Sequence, residues 1–550
     1  MAARLLRAIA TLAFLLAAPA AAKAPERPKL IVTLVVDQFA ADLFERYRPT
    51  YTGGLKRLAN GAAFVNGYQS HSGTETCPGH STILTGRHPA STGIVANAWY
   101  DRASGKSVYC VAVPGAGPAA RGPANLRVDT LGTWLKASEP RAQVVAISGK
   151  DRAAIMLAGH HADAVYWWGG ADGFTTASTS GPVTPQVTAP ADAFDRATFA
   201  SWRNAAPRLW PQDIPQRCVA MEKPERFGEE TLSGHLPPDA SAVAPSDKAF
   251  DDQLHVSPLL DRLTLDFAAR VITARHLGKG AATDLLAVSL SATDYVGHRY
   301  GKGGPEMCAQ VAALDRALGA FFARLDALKV PYVAILTADH GSSDAPERAA
   351  REGAAGAHRI DGRSLLRALN AHLKQGFNLS ADPIRSTEAQ ELTVVTGNPA
   401  LDPRVRAEAA IWLRVQPDVT QVLTRDEVAA AAPPPGTPPD KLTMAERFHE
   451  SFDAARSGDL FVVFPPNVST VNPRKAGDAV AGHGSPWDYD RRVPILFWWP
   501  GAPAEPVDRP VETVDIAPTL AAIAGVRTPL LDGKCLPEVA ECAQTGAALH

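Results

Sequence analysis

The 550-residue chain carries almost no net charge: 55 Lys and Arg stand against 57 Asp and Glu. That balance offers no basic surface for a nucleic-acid backbone or an anionic membrane. Beyond its N-terminal segment it has no apolar run long enough to cross a bilayer, which takes about 20 residues. No Cys-x-x-Cys pair occurs, which removes a thiolate zinc knuckle. No internal repeat is visible, which removes repeat architectures. What is present is an ordinary globular composition, 46% apolar. At this length it suggests one large α/β core with insertions, or two to four domains.

The N-terminus has the order of an export signal. Arg4 and Arg7 precede the apolar run 8–18, and Ala20-Ala21-Ala22 is a small-residue site of the kind removed on export. Residues 1–22 are expected to be a signal peptide and the mature chain to be periplasmic or secreted. Its six cysteines (Cys77, Cys110, Cys218, Cys308, Cys535, Cys542) are then candidates for disulfides. Six cysteines allow fifteen connectivities, and only the closeness of Cys535 to Cys542 favours one pair.

Four apolar runs end abruptly in polar residues. Leu30–Val36 stops at Asp37, 143–148 leads to Gly149-Lys150-Asp151-Arg152, 284–290 leads to Asp294, and 332–337 leads to Asp339-His340. Runs of this kind read as strands buried on both faces of a parallel sheet. Helical patterns lie between them: Ser257-Pro258 reads as an N-cap followed by Pro at N1, and Val311, Leu314, Leu318, Phe321, Phe322 and Leu325 follow helical spacing. Alternating strands and helices imply an α/β fold with a largely parallel central sheet covered by helices on both faces. Ligands of such sheets collect at the carboxyl ends of the strands, where Asp37, Asp294 and Asp339 are expected to converge. Two stretches fit the core poorly and read as inserted cap segments, at about 160–255 and 345–455; the second includes the stiff run 431–439, rich in proline. The core is expected to resume at 460–464 and 493–499.

The stretch Thr74-Glu75-Thr76-Cys77-Pro78-Gly79-His80-Ser81-Thr82 puts hydroxyls and a thiol on what reads as a sharply shaped turn, with Pro fixing φ and Gly permitting an unusual backbone. By itself it does not choose among Thr74, Thr76, Cys77 and Ser81. Asp294-x-x-x-His298 has the i, i+4 spacing that turns both side chains to one point. Gly482-His483-Gly484 presents a histidine between glycines.

Taken in order, Asp37, Thr76-Cys77-Pro78-Gly79-His80, Asp294-x-x-x-His298, Asp339-His340 and Gly482-His483-Gly484, with Asp515-Ile516-Ala517-Pro518 near the C-terminus, resemble the alkaline phosphatase superfamily. The resemblance runs from Leu30 to about Asp532 and implies one catalytic domain, 23–550, carrying both insertions. It implies two zinc ions, one bound by Asp294, His298 and His483, the other by Asp37, Asp339, His340 and the Thr76 hydroxyl. Thr76 is then the nucleophile and forms a phosphothreonine. Asn97 in Ala96–Asp101, with Lys150 and Arg152 after a strand, resembles the phosphate-binding set of the PhoK-type alkaline phosphatases. That set implies monoester substrates, whose dianion matches a Lys and a forked Arg. A phosphodiesterase or nucleotide pyrophosphatase on the same machinery is the alternative. Thr76 in the nucleophile position, with no Cys-x-Pro-x-Arg, disfavours a sulfatase. The partners implied are small phosphate esters. Oligomeric state and further Ca²⁺ or Mg²⁺ ions stay open.

Overall fold

A computed structural model describes residues 26–177, 183–238, 248–388, 390–504 and 506–542; the expected signal peptide lies outside them. Leu30–Val36 is a strand buried at every position. Because side chains alternate across a strand, Leu30, Val32, Leu34 and Val36 enter one apolar cluster and Ile31 and Val35 the other. Helices Pro258–Ala274 and Pro305–Ala327 supply the first cluster. Helices Asp151–Ala158 and Ile516–Ala524 supply the second. Both helices of the first pair open with Pro at the N-terminus, which the sequence suggests for Pro258. Ser257, however, makes no side-chain cap; its hydroxyl donates back to the Leu254 carbonyl at 2.8 Å.

Among the described residues the central sheet has ten strands. Its middle is parallel and runs Tyr332–Thr337, Leu30–Val36, Asp284–Leu290, Val144–Ser148, Ala164–Trp168. Beyond it, Arg492–Trp498 pairs antiparallel with both Tyr332–Thr337 and Ala62–Tyr68. Phe174–Thr176 forms the other edge, antiparallel to Ala164–Trp168. The sheet is therefore mixed, with helices around a parallel centre. Val36 lies opposite Leu290, Val35 opposite Thr337, and Ser289 opposite Ser148. This register brings Asp37, Asp294, Asp339 and Lys150 to one carboxyl edge within four residues of a strand end.

The poorly periodic stretch from 160 begins with two strands of the central sheet. It continues into helix Pro185–Asn204, whose regularity is masked in sequence by the internal Pro190. Its aromatics pack on the core; the Phe174 ring stacks on Phe267 with centroids 4.3 Å apart. Leu460–Val463 does not rejoin the central sheet. It pairs with Glu391–Val394 and Gln421–Thr424 in a separate four-stranded antiparallel sheet, which packs with Gly362–Phe377 and Asp402–Arg414 around Leu369, Leu373, Val405 and Leu413. An apolar run identifies a buried strand but not the sheet that receives it. Three disulfides tie the chain: Cys535–Cys542, as its spacing suggests, with Cys77–Cys110 and Cys218–Cys308.

The Thr74–Thr82 stretch is not a turn. Thr76–Ile83 is a helix buried at every residue, and Gly79 is helical within it. Glycine is needed there for close approach: a Cβ would stand 1.9 Å from the Asp339 carbonyl oxygen. Gly79→Ala is expected to cost about 1–3 kcal/mol of stability, the usual range for overpacking, read as a lower Tm; an unchanged Tm contradicts this packing.

Candidate metal centre

Two groups of donors form at the carboxyl edge. The first is Asp294, His298 and His483, the second Asp37, Asp339 and His340, each with donor atoms within 4.8 Å of one another. Helix Ala292–Tyr300 carries Asp294 and His298 one turn apart. His298 Nε2 lies 3.3 Å, and His483 Nε2 3.5 Å, from Asp294 Oδ1. His298 Nδ1 donates to the Ala481 carbonyl at 3.0 Å and His483 Nδ1 to Thr74 at 2.8 Å. His340 Nδ1 donates to Gly341 at 3.0 Å. In all three rings the second nitrogen orients the first, as in metal-binding histidines generally. The His340 and His483 rings stack with centroids 3.7 Å apart, so the groups adjoin.

The fit to cations rests on atoms left without partners. Asp37 Oδ1, Asp339 Oδ2 and His340 Nε2 are buried and make no hydrogen bond, although His340 Nε2 lies 3.4 Å from the first and 3.5 Å from the second. His80 Nδ1 is 3.0 Å from Asp339 Oδ2 but donates to the Thr76 carbonyl at 2.9 Å. Orphaned polar atoms at such depth cost about 1–3 kcal/mol each. One imidazole with two carboxylates in the second group, and two imidazoles with one carboxylate in the first, both suit a divalent ion of the zinc class, so the residues of each group fit a metal ion.

The charges show the same need. Burial, then Asp339, pushes the Asp37 carboxyl up to about 6 despite Lys150. Burial acts upward on Asp294 too, but Lys150 and His298 outweigh it and hold this carboxyl well below the usual range. Burial, with His483 alongside, depresses His340 and keeps it neutral. Burial also opposes charge on His483, yet its contact with Asp294 raises it to about 9. Lys150 Nζ donates to Asp37 Oδ2 and Asp294 Oδ2, both at 2.6 Å, and lies 4.9 Å from the Tyr295 ring centroid. One ammonium thus bridges both donor groups.

Thr76 opens the buried helix, where free backbone N–H groups favour negative charge. Arg152 Nη2 is 3.4 Å from Thr76 Oγ1, and Arg152 Nε is buried without an acceptor. Asn97 Oδ1 accepts the Cys77 N–H at 2.8 Å. A cleft of about 350 Å³ has Thr76, Asn97, Arg152, Asp294, His298 and His483 on its core side and Gln390, Glu391, Phe448, Phe461 and Val471 on the side of the insertion. A cavity of about 320 Å³ inside the inserted sheet, lined by Leu365, Leu369, Leu413 and Phe464, touches none of these donors.

Several neighbours escaped the sequence reading. Gln38, at φ 65°, donates its backbone N–H to Asp339 Oδ1 and its Nε2 to Asp294 Oδ1. His80 Nε2 meets Ser289 Oγ at 2.9 Å. The Cys77–Cys110 disulfide anchors the residue after Thr76. Read as a helix, the Thr76 stretch would have put His80 on the Thr76 face by its i, i+4 spacing; nothing in sequence marks Gln38.

Residues 31–486 match the family described as type I phosphodiesterase / nucleotide pyrophosphatase. The chain is 43% identical to alkaline phosphatase PhoK of Sphingomonas sp., over 93% of this chain and 91% of that one. It is 41% identical to alkaline phosphatase PhoD of Zymomonas mobilis, over 92% and 88%. In structure it resembles the crystal structure of wild-type alkaline phosphatase PafA, with TM-score 0.80, 27% identity, and coverage of 94% of this chain and 100% of that one.

Protons compete with metal at this site. A proton holds His483 Nε2 below pH about 9 and Asp37 below about 6, so affinity for Zn²⁺ should fall as pH drops through 9 and more steeply below 6. Calorimetric titration of the metal-free chain checks this; constant affinity from pH 9 to 5 contradicts it.

Proposed function

The chain belongs to the type I phosphodiesterase / nucleotide pyrophosphatase family of the alkaline phosphatase superfamily, and on that premise we propose a zinc-dependent phosphatase that cleaves monoesters through a phosphothreonine at Thr76. Hydrolysis of phosphoric esters is the activity shared by its named relatives. The observation that carries the monoester reading is the guanidinium of Arg152 beside Thr76, with the Lys150 ammonium on the donor carboxylates. Arg152 lies 3.4 Å from the attacking oxygen with its Nε unpaired, and Lys150 bonds to both donor groups. A monoester dianion bears more charge than a diester, and a fixed ammonium and guanidinium match it.

In this reading Asp294, His298 and His483 would hold one zinc ion, and Asp37, Asp339 and His340 would hold the other. Bound there, the ions would polarise phosphoryl oxygens and lower the pKa of the Thr76 hydroxyl. Thr76 Oγ1 attacks phosphorus in line, forming the threonine ester as the alcohol oxygen leaves. Water then cleaves that ester, releases inorganic phosphate and restores the hydroxyl. Arg152 orients the phosphoryl group over Thr76, the helix N-terminus favours charge on its oxygens, and the Asn97 amide completes the polar rim. Lys150 balances the two carboxylates it bridges and draws charge to the dianion.

Phe448, Phe461 and Val471 on the opposite wall favour the second reading, a diesterase whose second ester group rests on apolar surface. Export to the periplasm or beyond the cell is part of the proposal; three disulfides suit an oxidising compartment. Among the described residues no helix is long and apolar enough to cross a membrane. The single catalytic domain with two insertions belongs to the same reading.

Two measurements test it. kcat/KM for p-nitrophenyl phosphate should exceed that for bis-p-nitrophenyl phosphate; clear preference for the diester selects the second reading. Lys150→Ala with Arg152→Ala should cut monoester turnover by at least ~10²–10³, the loss typical of one electrostatic contact, and diester turnover far less. Equal losses remove the pair from substrate selection.

A further inference from the structure

Outside the two-metal centre, three segments distant in sequence bring a histidine and two glutamates together. His88 Nε2 lies 3.8 Å from Glu512 Oε2 and 3.9 Å from Glu450 Oε2, and the three donors are within 4.8 Å of one another. Separations of 3.8–3.9 Å are too long for hydrogen bonds. They are close to those of co-ligands, since bonds of ~2.1 Å put tetrahedral donors roughly 3.4 Å apart.

Glu450 is the telling member. Its side chain is 6% exposed, and its Oε2, turned toward His88, has no hydrogen-bond partner. The neighbouring carboxylates are already occupied: Asp532 accepts from His88 N and Arg87 Nη1, and Asp515 from the backbone N–H groups of Lys534 and Glu512. No lysine or arginine forms an ion pair with Glu450 or Glu512 among the described residues. His88 Nε2 also lies 3.2 Å from Ser70 Oγ, a further oxygen at the same point. Glu450 is buried and Glu512 partly exposed; Glu512 also accepts the Asp515 backbone N–H, and among the described residues the cation that faces both carboxylates is His88 itself when protonated. The two carboxylates repel each other, and burial pushes the Glu512 carboxyl up to about 7, with Glu450 adding to the rise and His88 opposing it.

We propose that His88, Glu450 and Glu512 form a third divalent-cation site that clamps the insertion to the core beneath the cleft. The imidazole favours a zinc-class ion over Ca²⁺ or Mg²⁺, which prefer all-oxygen sets. The segments that carry His88 and Glu450 already meet there. Ala90 N donates to the Glu450 carbonyl at 2.9 Å, Ser451 Oγ donates to the Ser72 carbonyl at 2.6 Å, and Ser72 and Ser451 both line the cleft. An ion held from both sides would fix that wall relative to Thr76.

The full-length chain, stripped with chelator and dialysed against Zn²⁺, is analysed for zinc by mass spectrometry beside the isosteric variant Glu450→Gln. The variant should retain one equivalent fewer than the wild type, and zinc should raise its Tm by less. The difference carries the test, whatever the total, so it stands apart from the reading of the two-metal centre. His88→Gln, at a corner more exposed than Glu450, is the second variant and must lose the same equivalent. Equal zinc content in wild type and either folded variant overturns the site.

Discussion

The structure depends on the repulsion of three carboxylates buried at one edge of a parallel sheet. Asp37 and Asp339 are fully buried and Asp294 nearly so. Each buried charge costs several kcal/mol when unpaired, and one ammonium, Lys150, is shared between two of them. Packing holds the carboxylates in place: the strands they follow are buried on both faces, and their register leaves Asp37, Asp294 and Asp339 nowhere else to go. Divalent cations held there would relieve the repulsion, so the charge that makes the edge costly is also what fits it to bind metal.

Thr76 is placed by the same logic. Its helix reaches the edge only because Gly79 lets the Asp339 backbone come close, and the Cys77–Cys110 bond, with the Asn97 side chain on the Cys77 N–H, holds the helix start. The hydroxyl lies 3.4 Å from Arg152 Nη2 and faces the cleft shared with Asp294, His298 and His483. The opposite wall comes in part from a separately packed sheet, so under the proposed function the core would carry the chemistry and that wall would shape what the cleft admits.

Much of this was legible in sequence for a simple reason. Strands buried on both faces must be apolar throughout, so Leu30–Val36, 284–290 and 332–337 announced both themselves and the polar residues at their ends. Their convergence followed from the parallel sheet; naming six particular Asp and His residues needed the resemblance of their order to a known family. The Thr76 helix was hidden because Thr-Cys-Pro-Gly has turn chemistry, which burial against Asp339 overrides. Helix Pro185–Asn204 was hidden by its proline. Gln38 and the cluster of His88, Glu450 and Glu512 have no local signature, because only tertiary contacts hundreds of residues apart create them. The destination of the Leu460 strand was likewise undetermined by its own residues.

The central claim is that Thr76 is the attacking group, activated by what the buried carboxylates hold. Acid quenching of the enzyme during turnover of a ³²P-labelled monoester, followed by peptide mapping, tests it most directly. Label is expected on Thr76, in the peptide that contains Cys77. Steady turnover with no trapped label under conditions that stabilise the ester, or label on any other residue, would contradict it.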